Sequence, residues 1–212
     1  DNKSGNIRYD RIEHNWKNGS CQYCGASEDE YSRSDELETH AYKFIHTDVS
    51  DIPLFFSTNP TMKFDVIIGN PPYQMHTWWT KSQAIPIYQK FVEQAKKLNP
   101  SYLSMITPSR WFAWGMWLDE FRLQMLWDKS IKTIVDYTNS KDCFPWVSIW
   151  WWVNYFLWEK NYKWQCKYTN IHNNEKVESV RDLNEFNVFV RHTAAIDTIH
   201  KVQWFKELSL RC

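Results

Sequence analysis

The feature that most constrains the fold is the run of apolar and β-branched residues at 64–69. A strand that is apolar at consecutive positions is typical of a parallel sheet covered on both faces. Residues 102–106 and 131–137 are also predicted to be strands, and segments with helical spacing, 85–98 and 118–126, separate the three. This alternation of strand and helix predicts an α/β, doubly wound fold whose sheet is mostly parallel.

The pattern changes in the last third of the chain. Residues 147–157 and 166–171 are predicted to be strands with no helix between them, so we expect them to pair as a terminal antiparallel hairpin. A closing helix is predicted from residue 193 to about 205. The sequence thus predicts a polar segment at 1–34, followed by one α/β region at 35–205 that also includes a short helix before the first strand.

The charge balance and the apolar content indicate which kinds of partner the chain can bind. Lys and Arg number 25 and so do Asp and Glu, so the formal net charge is zero. A surface that grips nucleic acid would therefore be local or lie outside this chain. No apolar run is long enough to span a bilayer and no signal peptide opens the sequence, so no membrane partner is expected. Five scattered cysteines are typical of a reducing cytoplasm.

The counts of tryptophan and glycine are unusual. The chain has 14 Trp and only 5 Gly, and many Trp stand where turns favour glycine. We expect that these are glycines in the natural protein, read as Trp from UGA codons, because UGA encodes glycine in some bacterial lineages. The alternative is a Trp-rich binding surface. The positions concerned are Trp78, Trp79, Trp114, Trp117, Trp146, Trp150, Trp151, Trp152 and Trp164.

The loop Asn70-Pro71-Pro72-Tyr73 follows the first apolar strand directly. Ligands of open α/β sheets bind outside the carboxyl ends of strands, where this loop is placed. An exocyclic amine such as adenine N6 is a poor nucleophile, because its lone pair is delocalised into the ring. The Asn70 side-chain oxygen and the Pro71 carbonyl can each accept one N6 hydrogen and localise that lone pair. The two prolines hold the acceptors in place.

Tyr73 offers a ring face on which a base flipped out of a duplex can stack. The alternative interpretation of the loop is a Pro-Pro turn after a strand, with Tyr73 as part of the core. Because the loop follows an apolar strand directly, the sequence favours the chemical interpretation.

Residues 63–74 resemble the catalytic motif of amino-methyltransferases that use S-adenosylmethionine. Residues 85–95, 108–113 and 142–145 resemble the adenine-N6 DNA methylase domain of type II restriction–modification enzymes, including enzymes that fuse methylase and endonuclease. The resemblance covers roughly residues 36–202. It implies a Rossmann-like methyltransferase sheet, S-adenosylmethionine as cofactor, double-stranded DNA as substrate and a fused or separate restriction endonuclease as companion.

The resemblance also implies further site residues. Phe144 matches a second aromatic that packs on the flipped adenine, and Asp48 with Asn70 is expected to contact the cofactor. Independently of the resemblance, Arg110 stands at another strand end and His76 in the loop after Tyr73, so both are expected to contact DNA. Each assignment except that of Asn70 has a plainer structural alternative. Phe144 is alternatively a core residue and Asp48 a loop or cap residue. Arg110 is alternatively in a surface ion pair and His76 exposed in its loop.

The sequence departs from the family at its amino-terminal side. Family members bind S-adenosylmethionine with a glycine-rich loop after an earlier strand, whereas Gly5, Gly19 and Gly25 are isolated here. A downstream target-recognition domain is also not seen, and both ends look cut. We therefore expect this chain to hold the catalytic and base-binding half of a methylase and to be inactive alone. By the same resemblance, Trp111 and Trp158 match tryptophans of the family.

Cys21 and Cys24 have the two-residue spacing of half a zinc knuckle. The nearby histidines, His14, His40 and His46, stand at no recognised spacing from them. The sequence therefore favours a pair of thiols, and no metal site is predicted.

Two other functions remain open at this level. The same loop serves methyltransferases that act on protein glutamine or on RNA. The chain is alternatively a non-catalytic DNA-binding fragment or a relic of a methylase gene. The matches at residues 108–113 and 142–145 favour DNA methylation.

Overall fold

The structure is a computed structural model of the 212-residue chain. It describes residues 14–23, 28, 40–59, 61–75, 85–115, 117–146 and 151–204. The chain divides into two compact units: the first comprises Asp1–Thr107 and Glu159–Asn161, and the second Pro108–Trp158 and Tyr162–Cys212. No helix in the described part of the chain is long and apolar enough to cross a membrane.

The first unit begins with a small hairpin. Strands β1 (Trp16–Lys17) and β2 (Ser20–Cys21) pair antiparallel. Asn18 and Gly19 between them have φ of 54° and 75°. Positive φ at both central residues is the requirement of a type I′ turn, which Asn-Gly satisfies at little cost. Helix α1 (His40–His46) follows.

The rest of the first unit is a β-α-β arrangement. Strand β3 (Val66–Gly69) pairs in parallel with β6 (Tyr102–Pro108), in the register Val66↔Tyr102 to Gly69↔Met105. The connection contains a two-residue ladder, β4 (Gln74–Met75) with β5 (Ile85–Pro86), and helix α2 (Tyr88–Lys97). This confirms the predicted strand–helix–strand order. The predicted helix at 85–98 starts later than expected, because residues 85 and 86 pair with β4.

The predicted burial of β3 on both faces is wrong on one face. Val66 is 54% exposed and Ile68 is 79% exposed. Within the described residues β3 pairs on one side only, with β6, and is the last strand of its sheet. An apolar run indicates that a strand favours burial. Whether it is buried depends on which segments pack against it in the tertiary structure.

The second unit follows β6 with helix α3 (Asp119–Trp127) and strand β7 (Ile131–Tyr137). Strands β8 (Val153–Glu159), β9 (Cys166–His172) and β10 (Glu175–Arg181) and helix α4 (Thr193–Trp204) complete it. The strand order is β10-β9-β7-β8. The β7–β9 pair is parallel, whereas β7–β8 and β9–β10 are antiparallel. The chain is therefore a mixed α/β protein, as the sequence predicts.

The predicted hairpin between residues 147–157 and 166–171 is wrong. Strand β7 lies between β8 and β9, so these two strands do not pair with each other. The terminal antiparallel hairpin is β9–β10 instead, closed by Asn173 and Asn174 with φ of 49° and 65°. The sequence does not predict β10 because it is mostly charged, which is common in edge strands.

The tryptophans fall into two groups. Trp111 is fully buried, and the Trp158 indole donates a hydrogen bond of 2.9 Å to Asp128 Oδ2. Trp117 is 73% exposed with φ of 71°, a backbone conformation that favours glycine. The remaining described positions of the predicted glycines are also exposed: Trp114, Trp146, Trp151, Trp152 and Trp164. Trp78, Trp79 and Trp150 lie outside the described residues.

Candidate active site

The loop 70–73 leaves the carboxyl end of β3 in the first unit, where the sequence predicts it. The Asn70 side chain is exposed, whereas Pro71 is buried and Pro72 and Tyr73 are half-buried. Asn70 makes no side-chain hydrogen bond within the described part of the chain. Its amide is therefore available to a ligand, while the residues behind it are held by packing.

Backbone contacts fix the far end of the loop. The carbonyl of Tyr73 accepts a hydrogen bond of 3.3 Å from the N–H of Ile87, which is fully buried. Pro86 pairs with Gln74 in the β4–β5 ladder, and its carbonyl accepts a 2.9 Å bond from Gln89 Nε2. These bonds tie the loop to the start of α2. These hydrogen bonds therefore preorganise the conformation of the loop.

Asp48 lies in the first unit, on the chain that follows α1. Its Oδ1 accepts hydrogen bonds from the N–H and the hydroxyl of Ser50, at 2.9 and 2.8 Å. These bonds lower the pKa of the Asp48 carboxyl, the backbone bond contributing most. The carboxylate closes a local turn, which is the plainer role that the sequence left open. Its Oδ2 has no hydrogen bond among the described residues, so a contact with a cofactor remains a prediction.

Arg110 belongs to the second unit, in a 3-10 turn formed by Ser109–Phe112. Its guanidinium lies 4.9 Å from the centre of the Trp151 ring. No carboxylate of the described residues pairs with it, so the predicted alternative of a surface ion pair is not seen. Arg110 lines a cavity of about 540 Å³ together with Arg191, Trp151 and Trp152. Three of the residues that line this cavity, Trp114, Trp151 and Trp152, are therefore tryptophans at predicted glycine positions.

Phe144 also belongs to the second unit, just after a 3-10 turn formed by Ser140–Asp142. Its N–H donates a 2.8 Å bond to the carbonyl of Ser140, and its side chain is half-buried. The ring is thus neither a fully buried core residue nor a fully exposed one. His76 lies outside the described residues, so its predicted contact with DNA stays a prediction.

Comparison with known proteins decides the family. A family model described as Eco57I restriction-modification methylase matches residues 1–144, more than half of the chain. The chain belongs to this family. An uncharacterized adenine-specific methylase from Mycoplasma pneumoniae is 39% identical over 154 residues, which cover 68% of this chain and 36% of that protein. This chain thus spans about a third of the length of that relative.

Solved structures of restriction–modification proteins show only distant similarity. The type I methyltransferase subunit from Streptococcus thermophilus has 14% identity and a TM-score of 0.38, over 77% of this chain and 36% of that one. The type IIG restriction endonuclease BpuSI has 14% identity and a TM-score of 0.48, over 77% and 24%. The family assignment rests on the family model and the Mycoplasma pneumoniae relative.

The second unit of this Eco57I-family chain also holds a polar network that was not predicted from the sequence. Asp136, in β7, is fully buried and forms an ion pair with Arg191. Its carboxylate accepts hydrogen bonds from Ser109 Oγ at 2.5 Å, Tyr168 Oη at 3.1 Å and Asn170 Nδ2 at 3.3 Å. Burial, and then the charge of Asp136, raise the pKa of the Tyr168 phenol. We call Ser109, Asp136, Tyr168, Asn170 and Arg191 the Asp136 network.

One signal for this network was available. Asp136 directly follows the apolar residues Ile134 and Val135 within a predicted strand, and a buried carboxylate needs a cation or several donors. Its partners, however, lie between 27 and 55 residues away in sequence. Local patterns identify the need for partners but not which residues supply them.

Proposed function

We propose that this chain carries the catalytic strand and loop of a DNA methyltransferase that transfers a methyl group from S-adenosylmethionine to N6 of adenine in a restriction–modification system. The observation that carries the proposal is the exposed Asn70 amide at the carboxyl end of β3, backed by the buried Pro71. Support comes from the family and from the adenine-specific relative. A restriction endonuclease, fused or separate, is proposed as its companion in that system.

Asn70 and Pro71 act on the nucleophile. The Asn70 Oδ1 and the Pro71 carbonyl each accept one N6 hydrogen, which shifts the lone pair of N6 out of conjugation with the ring. On transfer the methyl group would pass from the sulfonium sulfur to N6, so that the carbon–sulfur bond breaks and leaves a neutral thioether, and N6 would lose one proton to water. Because the buried Pro71 and its neighbour Pro72 fix the backbone, these acceptors need no reorganisation during the reaction.

Tyr73 and Phe144 are proposed to hold the flipped base. Both rings are half-buried, so each is anchored and still presents surface. A stacked base gains about 1–3 kcal/mol per aromatic partner, which offsets part of the cost of leaving the duplex. Arg110, which has no carboxylate partner among the described residues, is free to contact a DNA phosphate.

Two residues of the first unit fit contact with S-adenosylmethionine. Asp48 presents an exposed carboxylate with a lowered pKa, and its Oδ2 is uncommitted within the described residues, so it can accept a bond from a hydroxyl or an amine. Asn70 presents an exposed amide. When bound, the cofactor supplies an electrophilic methyl group on a sulfonium. The parallel β3–α2–β6 unit supports the finer proposal that these strands belong to a Rossmann-like methyltransferase sheet.

The test is methylation by the whole protein encoded by the gene. Asn70→Ala should lower kcat for DNA methylation by about 100-fold or more, because it removes a hydrogen bond that strengthens as the reaction proceeds. Asn161→Ala is the matched control, since Asn161 is an exposed asparagine of the same unit with no described side-chain bond. Parent-like activity of a folded Asn70→Ala protein would refute the proposed role.

A further inference from the structure

Three potential metal ligands meet in the first unit, away from the loop 70–73. His14, Cys21 and His46 each offer one ligand atom, and these atoms all lie within 4.8 Å of one another. The two imidazoles are within hydrogen-bond distance, with 3.1 Å between His46 Nε2 and His14 Nδ1. His14 precedes β1, Cys21 ends β2 and His46 ends α1. Because the three come from separate segments, no spacing rule in the sequence could group them.

The ligand set and its spacing fit zinc. Thiolate and imidazole are the groups that structural zinc sites use, with Zn–S of about 2.3 Å and Zn–N of about 2.0–2.1 Å. In a tetrahedron of that size two ligand nitrogens lie about 3.3 Å apart, close to the observed separation. Cys21 is 3% exposed and both histidines are half-buried, so the ligands are shielded from bulk water.

The surroundings hold the ligands in place. The Trp16 ring stacks on His14, with ring centres 4.7 Å apart and an angle of 24° between planes. Cys21 is fixed by its pairing with Trp16 across the hairpin. The end of α1 is anchored by Gln94, whose Nε2 donates to the carbonyls of Phe44 and Thr47 at 3.2 and 2.7 Å.

The hairpin itself needs such an anchor. Strands β1 and β2 have two residues each, and a two-stranded hairpin is marginally stable at best in water. Binding free energy at a structural zinc site is folding free energy, because the site does not exist in the unfolded chain. A metal that joins the hairpin to α1 would explain how so short an element is held.

We propose that His14, Cys21 and His46 bind a structural zinc ion that fastens the β1–β2 hairpin to the end of α1. This replaces the expectation from sequence that no metal is bound. A tetrahedral site takes a fourth ligand. Cys24 has the right spacing from Cys21 in sequence but lies outside the described residues, so the site is argued on the three described ligands alone.

The test measures zinc in the whole protein, purified without chelators, by plasma mass spectrometry. We expect about one zinc ion per chain to be bound by His14, Cys21 and His46. Cys21→Ser and His46→Ala should each lower the content by about one zinc. Cys143→Ser and His200→Ala, a cysteine and a histidine from the second unit, should keep the content of the parent.

Cobalt replacement keeps the test decisive if a variant folds poorly. The parent protein, stripped of zinc and loaded with Co²⁺, should show tetrahedral d–d bands and a thiolate-to-cobalt charge-transfer band. Adding Zn²⁺ should remove both. A parent that contains less than about a tenth of an equivalent of zinc and gives no tetrahedral cobalt spectrum would overturn the proposal. So would a Cys21→Ser protein that keeps the full zinc content. Neither result bears on DNA methylation, which rests on Asn70.

Discussion

Two strand ends in this molecule carry polar side chains and use them in opposite ways. After β3, Asn70 is exposed and makes no side-chain hydrogen bond among the described residues. After β6, Ser109 is buried and donates to the fully buried Asp136, which also pairs with Arg191. The polar side chain at the first strand end is available to a ligand, whereas those at the second form hydrogen bonds within the fold.

The difference shows how a site can be told from a scaffold. A buried polar group stabilises a fold only when its partners are all present, so removing one member leaves the others unsatisfied. An exposed group without internal partners contributes little to stability and can be reserved for chemistry. Position at a strand end does not by itself distinguish a site residue from a scaffold residue. The hydrogen bonds that the side chain makes within the fold do.

The largest effect on stability is expected at the Asp136 network. Asp136→Ala should lower the free energy of unfolding by about 3–5 kcal/mol, because it leaves Arg191 without its counter-ion and removes the acceptor of three further hydrogen bonds. Urea denaturation followed by circular dichroism measures the change. Asp197→Ala, which removes an exposed aspartate from α4, should be close to neutral. A loss below about 1 kcal/mol for Asp136→Ala would break the comparison.

A smaller effect of opposite sign is expected at Trp117. Trp117→Gly should raise the free energy of unfolding by roughly 1 kcal/mol, because an L-residue in the left-handed region carries a steric cost that glycine does not. Trp111→Gly, at a fully buried site, should destabilise instead. The same urea titration measures both. Destabilisation by Trp117→Gly would argue that this tryptophan is native, and sequencing of the codon for UGA or UGG checks the same point.

The smallest effect on stability is expected at Asn70. Asn70→Ala should change the free energy of unfolding by no more than about 0.5 kcal/mol, because the side chain is exposed and has no described partner. This near-neutral result sharpens the comparison with Asp136. If the variant were destabilised by about 2 kcal/mol or more, the Asn70 amide would belong to the scaffold and the difference between the two strand ends would disappear.

Local sequence patterns predicted much of the fold. Strand β7 has the predicted bounds, since its β-branched residues are framed by polar turns. The β3–α2–β6 order was predicted for the same reason, and so was the place of the loop 70–73. The turn at Asn173 and Asn174 was not predicted, although asparagine tolerates positive φ better than most residues.

What local patterns could not predict depended on which segments become neighbours. The exposure of Ile68, the place of β7 between β8 and β9, and the partners of Asp136 are all properties of long-range pairing. The meeting of His14 with His46, 32 residues further along, belongs to the same class. Residue type predicted the chemistry of each group, but only the tertiary structure identified its partners.

The central claim is that this chain helps to methylate adenine N6, and the identity of the methylated nucleoside tests it most directly. The whole protein would be expressed in a host strain that lacks adenine methylation, and its DNA digested to nucleosides and analysed by mass spectrometry. We expect N6-methyladenine, lost in Asn70→Ala and kept in Asn161→Ala. Methyl groups on cytosine alone, or N6-methyladenine that persists in Asn70→Ala, would contradict it.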